Sequence, residues 1–112
     1  NEQRFVLNTV ARIDELGAHN AYADATPDMV DAILDGAAAF AAGEWAPLNR
    51  VGDTRPPSWR DGRVIMPAGF KQAYAAFVEG GWGSIAGSTA YGGQGLPFLL
   101  STVVQEDLGT AN

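Results

Sequence analysis

The residues with chemical promise fall in a few places. Gly92-Gly93-Gln94-Gly95 has the Gly-Gly-x-Gly form of a loop that can bring backbone N–H groups against a phosphate. Its context argues otherwise. A dinucleotide loop follows a strand and is answered by an acidic residue about 20 positions on, and a P-loop ends in Gly-Lys-Ser/Thr; neither is present, so the glycines read as a tight turn before Pro97. Asp31 and Asp35 stand four apart, as metal-binding carboxylates on a helix can. A di-metal bundle, however, needs a Glu-x-x-His from each of two helices, and the sequence contains none. Glu106 and Asp107 are adjacent, so on a helix they face different directions and do not form a two-carboxylate catalyst. His19 is the only histidine and there is no cysteine, which excludes disulfide and thiolate chemistry and leaves a zinc ion only carboxylates and water, a set it rarely chooses. No metal site and no catalytic residue is expected in this chain.

The elements that must position these residues are helical. From Arg4 to Leu16 the apolar residues Phe5, Val6, Val10, Ile13 and Leu16 recur at three-to-four spacing, which predicts a helix over 4–17 with Gly17 as its stop. Thr26-Pro27-Asp28 is a strong helix start: a capping hydroxyl, a proline at the first helical position and an acid in the first turn. That helix should run over 27–43 and bury Met29, Val30, Ile33, Leu34, Ala37, Phe40 and Ala41, with Asp28, Asp31 and Asp35 on its wet side. Residues 44–66 carry Pro47, Gly52, Pro56, Pro57 and Gly62 and read as a long irregular loop pinned by Trp45 and Trp59, with Arg63–Met66 as a short extended segment. A third helix over 67–80 starts at Pro67 and turns Phe70, Ala73, Tyr74 and Phe77 to one face. Gly80-Gly81 end it, and a fourth helix, 97–110, starts at Pro97. The expected fold is an all-α, up-and-down bundle of about four helices.

Composition narrows the function classes. A chain of 112 residues supports one domain with a modest core. A net charge of −6 argues against a nucleic-acid binder. The charge is also unevenly spread: residues 14–44 hold seven carboxylates and no Lys or Arg, whereas five of the seven basic residues lie between Arg50 and Lys71. That pattern reads as a solvated acidic face beside a balancing loop, or as an arginine-rich contact with another domain or subunit. No apolar run is long enough to span a membrane and no charged-then-apolar leader opens the chain, so the expectation is a cytoplasmic protein.

Taken as a set, Glu79-Gly80-Gly81-Trp82, the run Tyr91-Gly92-Gly93-Gln94-Gly95-Leu96-Pro97 and the later Glu106 resemble the N-terminal helical domain of the acyl-CoA dehydrogenase family. Pro47-Leu48-Asn49 and Gly52-Asp53 extend the similarity to the branch of methylthiopropionyl-CoA dehydrogenase-like enzymes. The chain departs from many relatives at Gly87-Ser88-Thr89-Ala90, where a proline and an acidic residue are common. The resemblance implies α,β-dehydrogenation of an acyl-CoA thioester: a carboxylate takes the α proton while hydride leaves the β carbon for FAD. It also implies an electron-transfer acceptor and a homo-oligomer. In that family the base and the flavin site belong to domains beyond Asn112, so the 1–112 chain reads as a fragment that does not bind FAD alone. What carries over is a wall of the acyl cavity, expected from Tyr91, Gly92, Gly93, Gln94, Gly95, Leu96, Leu99, Leu100 and Val103. The alternative is an independent helical interaction module without catalysis. A fragment should expose an apolar patch at Leu96, Phe98, Leu99 and Leu100, suited to two-fold pairing.

Overall fold

The structure, a computed structural model, describes residues 2–112. Its architecture is helical, with one two-stranded hairpin as the sheet among the described residues.

Helix α1 (Glu2–Phe5) runs into a π-helical turn at Val6–Val10, and the chain then reverses through Arg12, at a left-handed φ of 52°, into α2 (Ile13–Gly17). The expected single helix over 4–17 is therefore broken. Leu7 and Ile13 explain the break. Both are buried, yet six residues apart on a straight helix they would point about 120° apart, on different faces. The reversal lets both enter one core, and it leaves Phe5, Val6 and Val10 exposed, against the periodicity.

Helix α3 (Pro27–Phe40) begins as its sequence dictates. Thr26 Oγ1 accepts from the Met29 N–H at 3.3 Å, and Pro27 occupies the first turn, where no donor is needed. Val30, Ile33, Leu34 and Ala37 are buried on it, whereas Met29 is exposed. Asp31 and Asp35 are exposed but engaged: the Arg4 guanidinium donates to Asp31 at 2.6 Å and to Asp35 at 2.8 Å, fastening α1 across α3. Hydrogen bonds to Asp35 and Asp31 raise the Arg4 pKa above its already high ordinary value. A raised base loses its contribution to stability only as pH climbs through the folded-state value, so the Arg4 guanidinium stays charged throughout the physiological range.

A second π-helical turn (Ala41–Trp45) leads directly into α4 (Ala46–Thr54), which corrects the expectation that 44–66 is irregular. The supposed breakers are placed where a helix accepts them. Pro47 lies in the first turn, and Gly52 lies under Phe70, whose Cζ would be 2.9 Å from any Cβ there.

The hairpin follows. β1 (Ser58–Arg60) pairs antiparallel with β2 (Arg63–Ile65), Trp59 opposite Val64 and Arg60 opposite Arg63. Asp61 and Gly62 turn it with positive φ at both positions (50° and 75°), the geometry that favours an Asp-Gly turn. Trp59 is 72% exposed and pins nothing, contrary to expectation. Trp45 does pin its segment, with its ring 5.7 Å from both Phe40 and Phe77.

Helix α5 (Phe70–Glu79) starts three residues later than Pro67, behind Gly69 at φ 91°. Helix α6 (Phe98–Ala111) uses Pro97 as its N-cap. α3 and α6 pack along each other, and Leu34, Ala37, Leu100, Val104 and Leu108 belong to the contiguous buried cluster they share with Leu7 and Ile85. No helix among the described residues is long and apolar enough to cross a membrane.

Candidate functional site: the glycine loop between α5 and α6

Residues 80–97 have little regular structure, yet their backbone is wired to itself. Ser84 and Gly87 face the second arm of the loop: Gln94 N–H donates to the Ser84 carbonyl at 3.0 Å, Gly95 N–H to Gly87 at 2.9 Å, and Leu96 N–H to Ile85 at 3.0 Å. The Gln94 side chain closes the open end. Its Nε2 donates to the Gly81 carbonyl at 2.8 Å and to Ser84 Oγ at 3.3 Å, while Ser84 Oγ also reaches the Gly81 carbonyl at 3.0 Å. The Gly81 carbonyl, which no strand or helix partner satisfies, is satisfied here by a glutamine and a serine.

The glycines have separate tasks. Gly92, at φ 83°, ends a short 3-10 turn at Thr89–Tyr91 in a conformation other residues rarely adopt. Gly93 is constrained by space: a Cβ would overlap the carbonyl of Gly87, so the two arms approach at a distance only glycine permits. Leu96 and Pro97 are buried, as is Ile85, and these three root the loop in the core. Trp82 roots its other end, with its ring 6.0 Å from Phe40.

The sequence-predicted site residues divide accordingly. Gly92, Gly93, Gln94 and Gly95 are brought together as the body of the loop. Leu96, Leu100 and Val103 are buried in this chain's own core. Leu99 is half-buried and lines, with Val6, Thr102, Val103 and Glu106, a groove of about 310 Å³ between α1 and α6. Tyr91 stands out at 94% exposure, and Phe98 at 76%. The expected apolar patch thus shrinks to Phe98 and the edge of Leu99, because Leu96 and Leu100 turn inward to join the buried cluster.

A larger cleft, about 600 Å³, lies elsewhere, between Trp45 and Leu48 on one side and Ile65, Met66, Phe70 and Tyr74 on the other. Sequence reasoning missed it. Its walls come from α4, the hairpin and α5, and in sequence the first two read together as one irregular stretch. Apolar Val64-Ile65-Met66 was the available signal.

The donor set does not compose a flavin cradle. Among the described residues the buried side-chain atom left without a hydrogen-bond partner is Asp107 Oδ2, a carboxylate oxygen that would repel a pyrophosphate; Oδ1 of the same group accepts from Gln3 at 2.5 Å. The loop's glycine amides Gly93 and Gly95 are spent on Ser88 and Gly87 carbonyls. Among the described residues no cluster of three or more His, Cys, Asp or Glu side chains stands ready for a metal ion.

Fold and site together define an all-α layer whose ordered loop presents Tyr91, with Phe98 exposed at the start of the helix that follows. No protein-family model matches the sequence. Two curated relatives do. The chain is 31% identical over 108 residues to the 3-methylmercaptopropionyl-CoA dehydrogenase of Ruegeria pomeroyi, an alignment covering 96% of this chain and 18% of that protein. It is 27% identical over 113 aligned positions to a broad-specificity linear acyl-CoA dehydrogenase of Mycobacterium tuberculosis, covering 99% of this chain and 18% of the relative. Both relatives are acyl-CoA dehydrogenases, and the chain is similar to them over nearly its whole length. It spans less than a fifth of the length of the relatives it matches.

Proposed function

We propose that the chain is the N-terminal helical domain of an FAD-dependent acyl-CoA dehydrogenase and that it covers one side of the acyl-binding cavity. The observation that carries this reading is the alignment of nearly the whole chain with a small part of two dehydrogenases. Nothing comparable favours an independent interaction module.

In this reading the flavin, held by polypeptide outside these residues, supplies the hydride acceptor for α,β-dehydrogenation. The chain's own contribution is shape and exclusion of water. A rigid loop places Tyr91 and the backbone of Gly92, Gly93, Gln94 and Gly95 at the cavity wall, with Leu99 beside them. Leu96, Leu100 and Val103 stand behind as the packed support that keeps the wall from yielding. The substrate is an acyl-CoA thioester, the reduced enzyme passes its electrons to an electron-transfer acceptor, and the working protein is a cytoplasmic homo-oligomer.

The test is to purify the complete encoded polypeptide and mix it anaerobically with saturated acyl-CoA thioesters. Bound flavin whose visible band bleaches on addition of acyl-CoA, with an enoyl-CoA product, is the expected outcome. A polypeptide that purifies without flavin, or whose flavin no acyl-CoA reduces, overturns the reading.

A further inference from the structure

The accessible surface of the chain is 7516 Å² for a mass of 11.8 kDa. A compact monomer of that mass exposes roughly 5,900 Å² by the usual scaling of surface with mass. The excess, on the order of 1,600 Å², is as large as a complete standard protein interface. Shape agrees with area. The radius of gyration is 16.3 Å, against roughly 13 Å for a compact chain of this length. The extents are 52 × 33 × 17 Å, so the molecule is a slab about two packed helices thick.

Among the described residues, half of the twelve exposed large apolar side chains gather in one region of the slab. Trp59, Val64, Ile65, Met66, Tyr74 and Val78 are all exposed, and they lie on the hairpin and the adjoining α5. A two-stranded hairpin with every residue exposed is marginal in water on its own. This one also sets Arg60 directly opposite Arg63, a like-charge pair that weakens it further.

Charge gives the face a second character. Arg50, Arg55, Arg60, Arg63 and Lys71 make no ion pair among the described residues, in contrast to Arg4 and Arg12, which pair with Asp31, Asp35 and Glu15. All five fall within one stretch of the chain that holds only two carboxylates, Asp53 and Asp61; Arg60 and Arg63 lie on the hairpin and Lys71 lines the 600 Å³ cleft. The surface therefore fits a partner that presents an apolar projection ringed by carboxylates.

We propose that the hairpin and the cleft between α4 and α5 form the seat on which the remainder of the same polypeptide docks. The proposal rests on the reading of the chain as part of a longer acyl-CoA dehydrogenase, and it is supported by the fact that the chain is 18% of the length of each relative. A tethered partner sits at millimolar effective concentration, so this face is occupied throughout the life of the folded protein. The acid-rich counterpart supplies what Arg60 and Arg63 lack, and the hairpin becomes stable only in that setting.

Two measurements on the intact polypeptide test this. Hydrogen exchange should show the amides of residues 58–65 slowed at least a hundredfold relative to unstructured chain, where an unsupported hairpin would give tenfold or less. Zero-length carbodiimide coupling should join Lys71, the chain's one lysine, to a carboxylate outside residues 1–112 of the same molecule. Hairpin amides that exchange at unstructured rates overturn the proposal. So does coupling of Lys71 only between isotopically labelled and unlabelled molecules, which would make a second copy the occupant. Flavin bleaching by acyl-CoA, read on the same preparation, separates the two ideas: a working dehydrogenase with an open hairpin sinks the docking seat alone, and a protected hairpin in an inactive, flavin-free polypeptide sinks the dehydrogenase reading alone.

Discussion

Two connections in this molecule reverse the usual relation between regularity and rigidity. Residues 80–97 are largely irregular, yet three residues of the loop are buried and a glutamine and a serine tie its arms together. Residues 58–65 form a regular antiparallel hairpin, yet none of its paired residues is buried. What holds a segment is where its side chains end and whether its polar groups are closed, not whether its dihedrals repeat. The glycine loop is part of the core. The hairpin is an attachment awaiting a surface.

The largest effect that would break this comparison is expected at Gly93. Valine there drives its side chain into the Gly87 carbonyl, and backbone on both sides leaves little room to yield. Overpacking of this kind costs about 3 kcal/mol, so Gly93→Val should lower the urea midpoint of the chain steeply, read by helical circular dichroism. A midpoint unchanged from the parent would mean that the two arms are not held in contact.

Leu96→Ala comes next. Leu96 is buried at the end of the loop as a member of the core cluster, and the truncation should cost about 2 kcal/mol. Gln94→Ala is smaller. It removes two side-chain hydrogen bonds, but Gly81 keeps its bond from Ser84 Oγ and solvent reaches the exposed glutamine site. A loss of about 1 kcal/mol is expected in the same titration. Restoration by Gln94→Asn would show that the reach of the side chain does not matter and would count against the staple.

The local rules that made some elements legible are the ones that failed at others. Thr26-Pro27-Asp28 announced α3 because capping is decided within four residues, and the apolar face of α5 was visible because Ala73 and Phe77 keep helical spacing. Pro47 and Gly52 look like breakers in the sequence because their effect depends on position. In the first turn, and opposite Phe70, they are compatible with α4, and only the packing reveals this. The reversal at Arg12 has no local signal. At the loop, the residues Tyr91–Pro97 were legible as a unit, but their division into buried and presented side chains was not. Helix α6 is apolar on several sides, with Phe98, Leu99, Leu100, Val103 and Val104 in its first half, so periodicity does not choose which of them faces inward.

The smallest effect, and the one that most sharpens the comparison, belongs to Trp59. A tryptophan is ordinarily the costliest residue to delete, and truncation of a buried one loses about 3 to 5 kcal/mol. Trp59 is 72% exposed, and its cross-strand neighbour Val64 is exposed as well. Their pairing contributes at most about 1 kcal/mol, and it does so to the hairpin alone. A segment with no buried residue opens locally without unfolding the core, so a change in its stability does not reach the global transition. Trp59→Ala should therefore move the urea midpoint of the 112-residue chain by an amount corresponding to less than about 0.5 kcal/mol, the range of ordinary surface substitutions. In the intact polypeptide, with the hairpin seated, the same substitution should become one of the more damaging ones. Equal effects in the two settings would show that the hairpin is no less a part of the core than the glycine loop, and the contrast between the two connections would be lost.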